Sequence, residues 1–370
     1  MSIMIAELLQ KMVEQKGSDL FLTVGIPPCI KSDGVIHNLN DIIITQEQAN
    51  ETIMSLMDDK QKMEFSRTKE CNFAVQTENG RFRVNTFYQR CNVGAVLRRI
   101  ETIIPELEQL NVPQTLSEFI MLQRGLIILV GGTGSGKSST LAAMLGYRNK
   151  NSYGHIITIE DPIEFVHPHA KSIITQREVG IDTESFDMAL KNTLRQAPDV
   201  ILIGEIRTQE TMSYAINFAE TGHLCLATLH ANNANQAMDR IINFFPHEKH
   251  HQLLTDLSLN LRAVIAQQLI PVASGKGRVP AVEILINTPA VSESIRKGEI
   301  SAIKELMSKS GTIGMQTFDQ ALFQLHKNGK ISYEEALQHA DSVNELRLMI
   351  KLSKNNGNNK SEFDDIRLQK

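Results

Sequence analysis

The run Gly131-Gly132-Thr133-Gly134-Ser135-Gly136-Lys137-Ser138-Ser139 holds the plainest chemistry in the chain. Glycines at 131, 134 and 136 let backbone N–H groups converge on the oxygens of a di- or triphosphate, where side chains would stand in the way. Lys137 adds a point charge for the β and γ oxygens, and Ser138 offers a hydroxyl to Mg²⁺. This spacing suits a magnesium nucleoside triphosphate, with ATP and Mg²⁺ as the expected ligands. Groups able to complete such a site lie downstream. Glu160-Asp161-Pro162-Ile163-Glu164 sets three carboxylates just beyond an apolar run, a cluster that calls for a cation. Glu205 follows another apolar run and Gly204, as a Walker B acid does, and would hold Mg²⁺ or its water opposite Ser138. His223 and His230 bracket a third run. They have opposite parity along a strand, so both face a nucleotide only if one lies past the strand end. His230 is the favoured γ-phosphate sensor.

These side chains need strands to deliver them and helices to back them. Residues 126–130 are five consecutive apolar residues running into the glycine loop, and residues 139–145 propagate as a helix whose N-terminus adds partial positive charge. Strand, loop and helix in that order form the setting of a Walker A loop. Residues 156–159 and 199–203 read as further buried strands, and Thr208 begins a helix. Residues 250–269 and 293–307 read as helices and 279–286 as a strand. Residues 316–327, 332–339 and 342–352 give a helical C-terminal portion.

The first hundred residues read as a separate small α/β domain, with helices over 4–13 and 46–63 and a hairpin turned at Asn79-Gly80. In that hairpin the period of two puts Phe82, Val84, Thr86 and Tyr88 on one face and Arg81, Arg83 and Asn85 on the other. The next strand adds Arg98 and Arg99. Guanidinium groups aimed one way by neighbouring strands suit an anion site or, more simply, a solvated face. Residues 101–113, with Pro105 and Pro113, read as a linker, 114–352 as the nucleotide-binding domain, and 353–370 as a polar, disordered tail.

Composition narrows the classes. With 370 residues and 42% hydrophobic content the chain fills two cores. A net charge of -4 with dispersed basic residues leaves no stripe for nucleic acid. Four scattered cysteines without a C-x-x-C pair read as free thiols in a reducing compartment. Glu7 and Glu14 are foreign to a signal peptide, and no apolar run approaches the roughly 20 residues of a membrane span. The expectation is a cytoplasmic protein that meets a membrane only through partners.

At this point the motifs resemble a family. GGTGSGKSS, TIEDPIEF (158–165), LRQAPDVILIGEIR (194–207) and TGHLCLATLH (221–230) are similar to the Walker A, Asp box, Walker B and His box of the secretion ATPase superfamily. With SDLFLTVGIPP, RFRVNTF and GMQTFDQAL they resemble the type IV pilus retraction ATPases of the PilT and PilU kind across nearly the whole chain. NNANQAMDRIINFFP and KELMSKS lie closer to the PilU side. The resemblance implies a PAS-like N-terminal α/β domain, a RecA-like P-loop ATPase domain with a helical extension, and a homohexamer. It also implies a PilT-like ATPase and an inner-membrane pilus platform protein as partners, the ring lying at the inner face of the cytoplasmic membrane. Carried onto this chain, Glu164 is the general base, Glu205 the Walker B acid, and Arg83 and Arg98 the γ-phosphate clamps. Two acids of the family pattern are missing, at Ala197 and Thr208. They keep a nucleotide-dependent scaffold as an alternative to a motor, beside a pilus-assembly or type II secretion ATPase.

Overall fold

Apolar residues alternate along the strands of the first hundred residues and run almost unbroken along those that follow, and the two patterns make two different sheets. The computed structural model describes residues 5–32, 35–100, 103–275 and 277–358. The chain divides into two units: residues up to Ile103 together with Ile163–Val166, and the remainder.

In the first unit β1 (Asp19–Leu22), β2 (Cys29–Ser32), β3 (Val35–Asn38), β4 (Glu70–Thr77), β5 (Gly80–Gln89) and β6 (Asn92–Ile100) form an antiparallel sheet in the order β3-β2-β1-β6-β5-β4. Helices Ile5–Glu14, Gln46–Met54 and Asp59–Thr68 bury Leu9, Met12, Ile53 and Phe65 with Leu20, Phe82, Val84 and Leu97 of the strands. The single helix expected over 46–63 is two. Asp58 starts the second by accepting the backbone N–H of Gln61 at 2.8 Å, while Gln61 Oε1 accepts that of Asp58 at 3.0 Å, a capping box that satisfies orphan donors at the break. The turn expected at Asp33-Gly34 lies outside the described residues.

In the second unit the strands are β7 (Gly125–Val130), β8 (Gly154–Glu160), β9 (Ser172–Glu178), β10 (Val200–Ile203), β11 (Leu224–Leu229), β12 (Leu261–Pro271) and β13 (Arg278–Ile286). Their order is β13-β12-β7-β11-β10-β8-β9. All neighbours run parallel except β12 and β13, which are antiparallel. β7 is buried throughout: Leu126, Ile128 and Val130 join one core layer, Ile127 and Leu129 the other. Parallel pairing brings the C-terminal ends of β7, β8, β10 and β11 to one edge, so the glycine loop, Glu160, Glu205 and His230 all stand at or just past strand ends that lie together.

Several elements differ from the sequence reading. The helix expected over 250–269 stops at Asn260, and its second half is β12, paired with β7 on one side and β13 on the other. A short apolar run does not declare its own period, and here the vacancy beside β7 decides it. β9 has no counterpart among the expected strands. The helix expected over 293–307 is broken by Gly298 at φ 76° into Pro289–Lys297 and Ile303–Lys309. In the linker region Leu107–Leu110 form a 3₁₀ turn whose Leu107 is buried beside Leu116. The last helix, Val343–Asn358, runs six residues past its expected end at 352, since no proline interrupts it; the rest of the expected tail, 359–370, lies outside the described residues. Among the described residues no helix is long and apolar enough to cross a membrane.

Candidate nucleotide site

The glycine loop is shaped by its neighbour strand. Gln267 of β12, itself buried, donates from Nε2 to the Ser135 carbonyl at 2.9 Å and accepts the Thr140 hydroxyl on Oε1 at 2.9 Å. One amide thus ties the loop to the first turn of helix Lys137–Asn151. A Cβ on Gly131 would come within 2.5 Å of the Gln267 carbonyl, and one on Gly136 within 2.7 Å of its Nε2; both residues also have positive φ. Only glycine fits either position. Sequence reasoning missed Gln267 because its strand was read as helix; the signal was a polar Gln pair inside an apolar run.

Lys137 folds back on the loop, donating to the carbonyls of Gly131 at 2.7 Å and Gly132 at 2.9 Å. Burial holds its ammonium below the ordinary lysine value, and the Glu205 carboxylate acts in the opposite sense. Gly132, Thr133, Gly134 and Ser138 are exposed, Gly136 and Ser139 half-buried. Ser135 is buried, and among the described residues its Oγ has no hydrogen-bond partner. A cradle closed by Cβ clashes beneath and open above fits a bound polyphosphate.

Beyond β10, Glu205 is held on both oxygens. Arg207 Nε donates to Oε2 at 2.8 Å, and His230 Nε2 lies 3.1 Å from Oε1. Arg207 also reaches Asp161 at 3.7 Å, and the Glu205 hydrogen bond raises its pKa. The two histidines part because they flank opposite ends of one strand: β11 ends at Leu229 and His230, just past it, meets Glu205. His223, at the opposite end, keeps to Thr221 and the Phe218 carbonyl.

Of the three carboxylates at the end of β8, Glu160 and Asp161 have protein partners. Glu160 accepts from Thr158 Oγ1 at 2.6 Å and Gln176 Nε2 at 3.2 Å, and Asp161 faces Arg207. Glu164 is exposed and lies in Ile163–Val166, which belongs to the first unit. Among the described residues no three His, Cys, Asp or Glu side chains are grouped to hold a metal. Mg²⁺ on a polyphosphate asks for less, one or two protein oxygens besides phosphate and water, and the exposed Ser138 hydroxyl and Glu205 are hard oxygen donors of that kind.

In the first unit Arg83 and Arg98 stand directly opposite each other on β5 and β6, on the face away from Phe82, Val84 and Leu97. Asp19 of β1 is next in the same row, and Arg98 Nε donates to it at 2.8 Å. The structure therefore gathers Lys137, Ser138, Glu205 and His230 in one unit and pairs Arg83 with Arg98 in the other.

A family model described as Type II/IV secretion system protein matches residues 1–338. The chain is 59% identical over 347 residues to the type IV pilus ATPase PilU of Pseudomonas aeruginosa, covering 94% of this chain and 91% of that protein. It is 42% identical over 337 residues to the type IV pilus retraction ATPase PilT of the same organism, covering 91% and 98%. The crystal structure of the pilus retraction motor PilT with bound ADP matches with a TM-score of 0.88 at 40% identity, over 94% of this chain and 99% of that one.

Proposed function

The chain belongs to the type IV pilus retraction ATPases of the Type II/IV secretion system protein family, and on that premise we propose that it hydrolyses ATP to ADP and phosphate in a homohexameric ring and so powers pilus retraction in twitching motility. Its place is that of a PilU-like motor beside a PilT-like ATPase, acting on an inner-membrane platform protein from the cytoplasmic side. The observation that carries this reading is the phosphate cradle and the Glu205–His230 pair at the same edge of one parallel sheet.

In this reading the N–H groups of residues 131–139 bind the β and γ phosphates, and Lys137 exchanges the carbonyls of Gly131 and Gly132 for phosphate oxygens. Mg²⁺, held by Ser138 and Glu205, would offset the charge of those oxygens. Glu164 orients the attacking water and takes its proton as the new oxygen–phosphorus bond forms and the β–γ bridge breaks, leaving ADP. His230 senses the γ-phosphate and reports it through Glu205. Arg83 and Arg98 offset charge on the transferred phosphoryl group, a role worth about 10³ to 10⁵ in turnover elsewhere.

The two missing acids do not count against the motor. Thr208 caps helix Gln209–Glu220, its hydroxyl accepting the Thr211 N–H at 3.3 Å, which is work an aspartate would also do. Ala197 is a turn residue at φ 50°. Neither position carries a role in the chemistry above. The test is a deletion strain complemented with wild type or Lys137→Ala. The deletion and the variant should both leave cells piliated and poorly motile, with turnover of the purified variant down by about 10²-fold or more. Cells that lose their pili identify an assembly motor instead, and full rescue by Lys137→Ala leaves only the scaffold.

A further inference from the structure

Glu164 rides on a segment that leaves the second unit after Pro162 and re-enters it at His167. One side chain holds both ends. Gln176 of β9 accepts the backbone N–H of His167 on Oε1 at 2.7 Å and donates from Nε2 to Glu160 Oε1 at 3.2 Å. Thr158 donates to the same Glu160 oxygen, so the departing end is fixed from two directions. The returning end is anchored by the His167 ring, which is 8% exposed.

We propose that Gln176 is the positioning residue for Glu164, closing the 160–167 segment into a loop whose geometry sets where that carboxylate stands. The inference rests on Glu164 as the base that orients water. A primary amide is neutral and offers both an acceptor to the His167 N–H and a donor to the Glu160 carboxylate from a single plane. Glutamate at 176 would keep the acceptor and set a second negative charge against Glu160. Leucine would keep the volume and neither bond. Closing both ends on one group removes freedom from the residues between them, and a reacting group displaced by about 1 Å costs on the order of 10²-fold in rate.

Steady-state hydrolysis by the full-length protein decides the matter, with ADP affinity measured alongside. Gln176→Leu should lower kcat by roughly 10- to 100-fold while KM for ATP and ADP affinity stay within about twofold, since the glycine loop is untouched. Gln176→Glu, which keeps the shape and the His167 bond, should fall in the same direction and serves if the leucine variant does not fold. In a Glu164→Ala background neither change should lower kcat further. Should Gln176→Leu lose as much there as in the wild type, or raise KM without touching kcat, the positioning role is overturned. Should Glu164→Ala itself turn over normally, the base assignment fails first, and the inference falls with it for a separate reason.

Discussion

Gln267 shows how much of a phosphate site is held by a residue that touches no phosphate. Its amide satisfies the Ser135 carbonyl and the Thr140 hydroxyl at once, and its own carbonyl fills the space a Cβ on Gly131 would need. Gln267→Leu keeps the bulk and orphans both partners; each buried group left unpaired costs about 1–3 kcal/mol, so the variant should lose about 2–6 kcal/mol in urea denaturation. ATP KM should rise with it, because the loop relaxes. At the same scale Ala197 holds φ 50°, a conformation that an L residue with a Cβ resists. Ala197→Gly should gain about 1 kcal/mol in the same titration and leave hydrolysis unchanged.

Elements meet at buried titratable groups, and two of these pull stability in opposite directions. Glu283 of β13 accepts the N–H of Ala234 at 2.7 Å and of Phe318 at 3.1 Å, at the starts of helices Ala234–Asn243 and Phe318–Lys327. Burial pushes its carboxyl up from 4.5 to about 7. The folded chain then holds that proton more tightly than the unfolded one, so this contribution is full below 4.5 and is lost as pH rises through about 7. His167 behaves in reverse: burial depresses it from 6.5 to about 4, so its contribution is present above 6.5 and is lost as pH falls toward 4. Over the shared window the wild type should be nearly flat. Glu283→Gln should leave a stability that climbs with pH, and His167→Phe one that declines. Urea midpoints across the window check both slopes, a tenfold difference in proton affinity between folded and unfolded chain being worth about 1.4 kcal/mol.

For the whole molecule, the proposal turns on two arginines and a phosphate cradle that belong to different units of the chain. Arg83→Ala should lower kcat by about 10³-fold while nucleotide affinity, set by the glycine loop, changes little. Single-turnover hydrolysis with a parallel ADP-binding titration separates the two quantities. Arg98 is engaged by Asp19, so Asp19→Asn should free that guanidinium for the transferred phosphoryl group and raise kcat, with KM for ATP little changed. An Arg83→Ala variant that keeps both kcat and affinity would argue that the arginine row is a surface feature.

The sequence by itself determined whatever is written in short windows: the strand, loop and helix around Gly131 to Ser139, Glu205 at a strand end, and the shared face of Arg81, Arg83 and Asn85, since parity and glycine spacing need only near neighbours; that Arg98 rather than Arg99 stands opposite Arg83 is decided by sheet register. Parity allowed only one of His223 and His230 to face a nucleotide, and the neighbouring phosphate chemistry favoured His230. What tertiary structure alone decided are the long-range ties: that residues 261–271 lie beside β7 as a strand, that Gln267 reaches Ser135 across 132 positions, that Gln176 spans both ends of the Glu164 segment, and that Glu283 meets the starts of two helices at once. The physical reason is that a side-chain amide or carboxylate declares no partner until sheet register brings a donor or acceptor within about 3 Å of it.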